Sequence, residues 1–331
     1  MSTVQRAGVD VAPIGEASAW PLMLSIATTA YNEAGNVTTF LSEALLALRA
    51  LGVTGEIIYI DDGSNDRTDT AVMNFAQGHK DAAIRLVRHP ARRGITAAIQ
   101  ESVALAKGEF ICFLPADLES SPANDVPLLY RALDPSTDVV VGWRKGRQDG
   151  KLFSSRVYNF LNRWLFNLRL HDANWIKLVR HNRIHGIRLR SDWHRFLLPI
   201  LAHRGCRIKE IETPWHPRAY GRSKFGLKRF PVSLADMLAV KFLLTYGKRP
   251  LLFYGWLSVI SFILAIIATL AAFLIAEDDT RAWVAMLMLS GALFLTGIVS
   301  GSLGLLGELT LGWEGMHGDE RTDKASGTGR V

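Results

Sequence analysis

Two carboxylates at residues 61 and 62 stand in a setting that is typical of a ligand site. The apolar run 57–60 ends in Asp61-Asp62-Gly63-Ser64, and the glycine allows the chain to turn sharply there. Carboxylates presented in this way can accept hydrogen bonds from nucleobase N–H groups or from ribose hydroxyls. A structural role stays open, because Asp62 or Asp66 would also serve as an ordinary acceptor in a turn or at a helix cap.

A second acidic pair, Asp117 and Glu119, directly follows the apolar run 110–114. Carboxylates at such a position can hold a hard divalent cation, Mg²⁺ or Mn²⁺, which bridges diphosphate oxygens and neutralises charge on a leaving nucleotide diphosphate. Residues two apart on an extended chain face the same way, so both side chains are predicted to reach one metal ion if this segment is extended. The alternative is that Glu119 is a solvated loop residue.

A third cluster is basic and lies in the segment 215–226, which contains Arg218, Arg222, Ser223 and Lys224. Arginine offers forked donors to phosphate, and lysine offers a point charge. Because the segment shortly precedes a long apolar stretch, its alternative role is to anchor the chain at lipid head groups.

The composition excludes several classes of protein. With 331 residues, 49% apolar and 21% charged, the chain is not a disordered one. Its two cysteines, Cys112 and Cys206, form neither a disulfide framework nor a zinc pattern. The net charge of +7 indicates an anionic partner. We expect no nucleic-acid partner, since no recognition module for one is evident.

Two segments, 251–276 and 282–307, contain no charged residue, and each exceeds the ~20 residues that cross a bilayer. They are predicted to form a transmembrane hairpin, although a pair of buried core helices is the alternative. Basic residues precede the first segment and acidic residues dominate the link 277–281. The positive-inside rule therefore predicts that both termini are cytoplasmic. We expect no signal peptide within 1–19.

Apolar patterning predicts the elements that must position the acidic residues. Strands are expected at 22–29, 56–60, 84–88, 110–114 and 138–141, and helices at 37–51, 66–77, 95–106 and 124–133. This alternation predicts an α/β fold with a mostly parallel sheet covered by helices. Ligands of such sheets bind beyond the carboxyl ends of the strands, which is where Glu33 and the two acidic pairs fall.

The rest of the chain is predicted to serve the membrane. Residues 151–170 have an apolar stripe opposite a basic face, which is typical of a helix on a membrane surface, although packing on the sheet is the alternative. Residues 228–248 form a second candidate. The predicted organisation is a disordered lead (1–21), a catalytic domain (22–227), this juxtamembrane helix, the hairpin (251–307) and a polar, disordered tail (308–331).

Taken together, the motifs resemble those of the inverting family 2 glycosyltransferases with a GT-A (Rossmann-like) fold. Within that family the chain is similar to the polyprenyl-phosphate branch, which includes dolichol-phosphate mannose synthases and bacterial undecaprenyl-phosphate glycosyltransferases. The matching segments occur in family order and are Thr29–Glu33, Asp61–Ser64, Arg93-Gly94, Ala116–Leu118, Gly142–Arg144, Asp172–Lys177, His216–Arg218 and Gly221–Phe225.

The resemblance implies roles for individual residues. The nucleoside would be held by Tyr31, Glu33 and Asp61, with Asp62 nearby, and Asp117 would bind the metal ion and the diphosphate. The acceptor phosphate or the donor diphosphate would be held by Arg144, Arg218, Ser223 and Lys224. This chain departs from the family's Asp-x-Asp pattern, because Pro115 replaces the first acid. We hypothesise that Glu119, which stands where many relatives have glutamine, compensates as a metal ligand.

The activity implied is transfer of a hexose from a UDP-glucose or GDP-mannose type of donor to a polyprenyl phosphate, with inversion, at the cytoplasmic face of the inner membrane. The second pKa of such a phosphate is about 6, so no strong general base is needed. Catalysis would depend on positioning and on electrostatic stabilisation of the leaving diphosphate.

Three alternatives remain. A processive polysaccharide synthase usually has more membrane helices and a Gln-x-x-Arg-Trp motif, but here Arg163-Trp164 follows Phe160. A non-catalytic, membrane-anchored scaffold is suggested by Pro115. A soluble protein O-glycosyltransferase is disfavoured by the hairpin. The sugar, the nucleotide, the polyprenol and a homo-oligomeric state are left open by the sequence.

Overall fold

The chain divides into two compact units, Met1–Asp236 and Met237–Val331. The computed structural model describes residues 11–14, 24–145, 160–172, 176–217, 230–275 and 280–326. Each unit has its own secondary structure and is described by itself below.

An eight-stranded mixed sheet forms the centre of the first unit, with the strand order β1-β4-β3-β2-β5-β7-β6-β8. Four neighbours, β4, β3, β2 and β5, run parallel, whereas β7 is antiparallel to both β5 and β6. The strands are β1 (Val11–Ile14), β2 (Leu24–Ala30), β3 (Gly55–Asp61), β4 (Ala83–Arg88), β5 (Phe110–Pro115), β6 (Val139–Lys145), β7 (Lys177–Arg180) and β8 (Ile208–Pro214).

Helices connect these strands. They are α1 (Val37–Leu51), α2 (Thr68–Gly78), α3 (Ile95–Leu105), α4 (Pro122–Arg131), α5 (160–166), α6 (His181–Ile184), a 3-10 helix (Trp193–Phe196) and α7 (Leu197–His203). The central strands β2 and β3 are almost wholly buried, which explains why β3 contains the continuous apolar run 57–60 rather than an alternating pattern. The largest fully buried side chains include Tyr59, Phe40, Ile26 and Ile57.

The predicted alternation of strands and helices between β2 and β6 is confirmed, with bounds that shift by a few residues. The prediction of a disordered lead is wrong for Val11–Ile14, which pair antiparallel with β4. This strand contains Pro13, and proline is tolerated there because β1 lies at the edge of the sheet. Two strands, β7 and β8, were not predicted from the sequence. They lie beyond β5 in the sheet, where β7 interrupts the parallel arrangement.

The predicted surface helix 151–170 is only partly testable, because 151–159 lie outside the described residues. Its described part is helical over 160–166 and ends before Asn167, whose φ of 51° is left-handed. The prediction of helix up to residue 170 is therefore wrong. Phe160 and Trp164 are 65% and 73% exposed, as expected of aromatic side chains that face a membrane surface. A further helix, α8 (Phe230–Tyr246), matches the second candidate segment.

The second unit contains α9 (Pro250–Ile275) and α10 (Thr280–Ser326). Both are long and apolar enough to cross a membrane. Large apolar side chains on both helices are exposed, among them Trp256, Leu274 and Met288, which is the pattern of lipid-facing helices rather than of a core pair. The prediction of a disordered tail is wrong, since α10 continues to Ser326. Extending an existing helix avoids the cost of nucleation.

Close packing at Gly297 leads to a prediction for the hairpin. The Ser258 hydroxyl donates to the Gly297 carbonyl over 2.7 Å, and a Cβ at Gly297 would lie 2.8 Å from the Phe262 ring. We expect Gly297→Val to destabilise the hairpin by about 1–3 kcal/mol through overpacking. Gly291→Val is the matched control, because a Cβ at Gly291 meets no atom within 4 Å. Thermal unfolding in detergent, followed by circular dichroism, should show a lower midpoint for the first variant only.

Candidate active site

The acidic segments converge because of how β3, β2 and β5 pair. These strands are neighbours and parallel, and their register aligns Ala30 with Asp61 and Thr29 with Pro115. The chain therefore leaves all three strands at one edge of the sheet. This edge carries Tyr31, Glu33, Asp61, Asp62 and Asp117, as the sequence predicted, and it is the usual location of a ligand site in such a sheet.

The loops after β2 and β3 are joined by hydrogen bonds into one wall of the site. The amides of Asn32, Glu33 and Ala34 donate to Ser64 Oγ (2.9 Å), Thr68 Oγ1 (3.0 Å) and Asp66 Oδ2 (3.0 Å). Burial opposes ionisation of Asp66, but the hydrogen bonds from Thr68 and Ala34 outweigh it and lower the pKa of Asp66. Asp66 thus has the structural role that the sequence had left open.

Asp61 is fully buried, and one of its carboxylate oxygens has no hydrogen-bond donor among the described residues. Its Oδ1 accepts from the Ser64 amide at 3.0 Å, whereas Oδ2 is buried and accepts no hydrogen bond from the described residues. The Arg88 Nε atom lies 3.9 Å from this oxygen. A buried acceptor without a donor costs about 1–3 kcal/mol, so a ligand that supplies an N–H or O–H group there would recover that free energy.

Tyr59 lies beneath the same edge as a neutral phenol. Burial, followed by the charges of Glu33 and Asp61, raises the pKa of Tyr59 above its ordinary range. Its hydroxyl, like Asp61 Oδ2, is buried without a hydrogen-bond partner among the described residues. The floor of the site therefore contains two polar atoms that the described part of the protein leaves unsatisfied.

Tyr31 and Glu33 have neighbours that orient them. The guanidinium of Arg92 lies over the Tyr31 ring, 4.6 Å from its centroid, and Asn36 Nδ2 donates to Glu33 Oε2 at 2.6 Å. The sequence analysis did not identify Arg92. Its signal was available, since Arg92 follows β4 at the same edge as the acidic residues.

Asp62 is engaged by the protein rather than open to a ligand. Its Oδ1 accepts from His89 Nδ1 and from the Arg93 amide, both at 2.7 Å, and its Oδ2 accepts from the Gly94 amide at 2.9 Å. The carboxylate is almost fully buried. We therefore infer that Asp62 positions the segment that follows β4, and its predicted place near the nucleoside stays a prediction.

The segment from Asp117 to Glu119 turns instead of running extended. Leu118 has a left-handed φ of 58°, and the Glu119 amide donates back to Asp117 Oδ1 at 3.2 Å. The expectation that both carboxylates project the same way along an extended chain is therefore wrong. Among the described residues, no three histidine, cysteine or acidic side chains group as a metal site. Asp117 and Glu119 can therefore supply only one or two carboxylate ligands to Mg²⁺, and diphosphate oxygens and waters would supply the rest of its coordination shell.

Arg144 makes a bidentate ion pair with Asp172, with Nε–Oδ2 at 2.5 Å and Nη2–Oδ1 at 3.1 Å. Its Nη1 lies 3.9 Å from Glu119 Oε2. Glu210 on β8 accepts from the amides of His171 and Asp172 and thereby fixes this arrangement. A phosphate at Arg144 would have to share the guanidinium with Asp172, which the sequence did not reveal.

Lys177 is a buried cation at the start of β7, paired in register with Phe113 and Val141. Burial lowers the pKa of Lys177 to about 8, with Asp172 opposing the shift and Arg144 adding to it. Burial and the charge of Lys177 lower the pKa of His194 to about 4. His194 is therefore neutral at pH 7, and its Nδ1 lies 3.0 Å from Thr96 Oγ1.

The shifted pKa of Lys177 predicts a gain in stability on its removal. Between pH 8 and 10.5 the Lys177 side chain is protonated in the unfolded chain but largely neutral in the folded one, so the free energy of unfolding rises with pH over this range. Below pH 8 the folded protein bears the full cost of burying the charged lysine. We expect Lys177→Met to raise the free energy of unfolding at pH 7 by up to roughly 3 kcal/mol. Lys209→Met, at an exposed lysine, is the control. A lower unfolding temperature for Lys177→Met than for wild type at pH 7 would contradict this assignment.

Three predicted phosphate ligands, Arg218, Ser223 and Lys224, lie outside the described residues. The start of their segment is described, and it lies near the acidic edge. The His216 amide donates to the Glu119 carbonyl at 3.1 Å, so the chain that follows β8 contacts the turn that carries Asp117 and Glu119 at residue 216.

Comparisons with known proteins agree with this geometry. The profile of glycosyl transferase family 2 matches residues 25–196. A dodecaprenyl-phosphate galacturonate synthase from Rhizobium johnstonii is 30% identical over 301 residues, which cover 87% of each chain. An undecaprenyl-phosphate 4-deoxy-4-formamido-L-arabinose transferase from Edwardsiella ictaluri is 28% identical over 86% of this chain and 87% of its own.

A solved structure shares the fold. Glucosyl-3-phosphoglycerate synthase from Mycobacterium tuberculosis, crystallised with Mn²⁺, UDP and phosphoglyceric acid, superposes with a TM-score of 0.52 at 16% identity, covering 66% of this chain and 78% of its own. The sheet is thus that of a GT-A glycosyltransferase. The chain belongs to glycosyl transferase family 2, as its motifs predicted, and it is a glycosyltransferase.

Proposed function

We propose that this protein transfers one sugar from a nucleoside diphosphate sugar to a polyprenyl phosphate, with inversion at the anomeric carbon. The observation that carries the proposal is the convergence of Tyr31, Asp61 and Asp117 at one sheet edge, in a chain that also has two helices able to cross a membrane. The names of the relatives, which contain dodecaprenyl and undecaprenyl phosphate, support this choice of acceptor.

The donor would bind along the edge formed by β3, β2 and β5. Asp61 Oδ2, which is buried and has no donor in the part of the chain that the structure describes, is suited to a base N–H or a ribose hydroxyl, with Tyr31 and Glu33 beside it. Asp117, with Glu119 as second ligand, would hold Mg²⁺ or Mn²⁺, whose chemistry is to neutralise charge on the diphosphate. In the reaction, an acceptor phosphate oxygen bonds to the anomeric carbon while the bond from that carbon to the diphosphate breaks.

The acceptor needs positioning more than activation. A phosphate monoester is mostly dianionic near neutral pH, so no described residue has to remove a proton from it. Arg144, together with Arg218, Ser223 and Lys224, would hold the phosphate groups, and the buried Lys177 adds positive charge beneath them. We also propose that the catalytic unit and both ends of the hairpin lie on the cytoplasmic side.

The names of the relatives contain galacturonate and 4-deoxy-4-formamido-L-arabinose, whereas the sequence motifs predicted UDP-glucose or GDP-mannose. A donor panel therefore has to include UDP-galacturonate beside these two.

The test is transfer of label into an organic phase. Purified protein in detergent is given each labelled donor with undecaprenyl phosphate, and undecaprenol is the matched acceptor without the phosphate. The proposal expects lipid-linked label with the phosphate only, and its loss on addition of EDTA. Label that partitions as a long polymer would favour a processive synthase. Absence of label with every donor would favour the non-catalytic scaffold.

A further inference from the structure

We propose that His89 is a positioning residue, a buried hydrogen-bonding bridge that holds the segment after β4 (residues 89–94, the β4–α3 loop) against the nucleotide site. The inference rests on the proposed function in one respect, because it takes the Tyr31 edge as the place where the nucleotide binds.

The contacts of His89 define the bridge. The side chain is fully buried between two acidic side chains, with Nδ1 2.7 Å from Asp62 Oδ1 and Nε2 2.7 Å from Glu101 Oε2. Both ring nitrogens are therefore within hydrogen-bond distance of a carboxyl oxygen, and His89 joins Asp62 to Glu101.

The same carboxylates hold the backbone of the β4–α3 loop. Asp62 accepts from the amides of Arg93 (2.7 Å) and Gly94 (2.9 Å), and Glu101 accepts from Arg93 Nη1 at 3.4 Å. The His89 amide itself donates to the Asp61 carbonyl at 2.8 Å. The His89 side chain thus links the turn after β3 to helix α3, and the loop is held between them.

The fit of this loop against the Asp61–Gly63 turn is close. Gly63 has a φ of 77°, and a Cβ there would lie 2.8 Å from the backbone carbon of Ala91. The position of the loop matters because it carries Arg92, whose guanidinium lies 4.6 Å from the centroid of Tyr31. The Arg92 side chain is more than half exposed, so its donors remain accessible to a phosphate or a base carbonyl.

This arrangement predicts a kinetic signature. His89 and Glu101 would affect binding of the nucleotide through the positions of Arg92 and Tyr31. The free energy of these nucleotide contacts is the same in the ground state and in the transition state. Loss of such uniform binding raises KM and leaves kcat unchanged. A purely structural role would instead lower the unfolding temperature or the active fraction without a selective change in the donor KM.

The test uses His89→Gln, Glu101→Ala and the double variant of the full-length protein. We expect each single change to raise the donor KM and the Kd for UDP or GDP at least about tenfold, with kcat and the acceptor KM within about threefold. Because both residues act through one bridge, the double variant should be no worse than the worse single variant. Glu109→Ala is the control, since it removes a carboxylate paired with Arg180 at the opposite edge of the sheet.

Several outcomes would overturn the proposal. They are an unchanged donor KM in both single variants, effects that add in the double variant, or an equal rise in KM for Glu109→Ala. If His89→Gln does not fold, Glu101→Ala carries the test alone. Calorimetric binding of UDP and GDP needs no transfer, so weaker nucleotide binding by these variants would support the bridge even if no sugar reaches a polyprenyl phosphate.

Discussion

Replacing Asp117 by asparagine is expected to lower kcat by at least about a thousandfold while the protein remains folded. Asparagine keeps the size of the side chain and an oxygen for the Glu119 amide, whose hydrogen bond with Asp117 is 3.2 Å long. It removes the negative charge that would hold the divalent cation at the diphosphate. The fold should therefore persist, and the loss should fall on the chemical step.

The measurement is single-turnover transfer at saturating donor over a series of Mg²⁺ or Mn²⁺ concentrations. Asp81→Asn, at an exposed aspartate paired with Arg49, is the control and should keep wild-type rates. Glu119→Gln should raise the metal concentration needed for half-maximal rate, with a smaller loss in kcat. More than a tenth of wild-type activity in Asp117→Asn would contradict the assigned role, and loss of metal dependence in Asp117→Ala but not in Glu119→Gln would remove Glu119 from it.

The second large effect is expected at Asp61. Asp61→Asn should weaken binding of UDP or GDP by about 10- to 100-fold, which corresponds to one charge-assisted hydrogen bond of about 1.5–3 kcal/mol. An asparagine can still accept from the Ser64 amide, but it places an NH₂ group where the unsatisfied Oδ2 lies. Calorimetric titration with the nucleotide measures the change directly.

Asp66→Asn provides the contrast for Asp61. Both oxygens of Asp66 already accept hydrogen bonds from the protein, from Thr68 and from the Ala34 amide. We therefore expect this variant to lose stability and to change nucleotide affinity less than Asp61→Asn does. Equal losses of nucleotide affinity at the two positions would show that the hydrogen-bonded loops after β2 and β3, rather than Asp61 Oδ2, determine nucleotide binding.

The apolar patterning of the sequence correctly predicted the alternating strands and helices from β2 to β5. From β2 to β5 each strand is followed by a helical pattern, and those elements lie where expected. β7 has only four residues and pairs antiparallel on both sides, so no periodicity of its own marks it. The composition of the charged tail predicts disorder, whereas in the structure α10 continues through it to Ser326.

For the site, the rule that ligands bind at strand ends found Asp61 and Asp117, and applied to β4 it would also have found His89. The turn at Leu118 was not predictable, because a left-handed φ is rare for leucine and no glycine signals it. Arg144 and Asp172 are 28 residues apart in sequence, so their ion pair depends on the tertiary fold. This pair means that Arg144, which the motifs suggest as a phosphate ligand, is also a partner of Asp172.

The central claim is tested most directly by the mass of the lipid product. Reaction of the full-length protein with undecaprenyl phosphate and a nucleotide sugar should give a lipid heavier by one sugar less one water, with one nucleoside diphosphate released per product. The account predicts this mass in wild type and its absence in Asp117→Asn. A product heavier by a sugar phosphate, release of a nucleoside monophosphate, or a ladder of added sugars would contradict it.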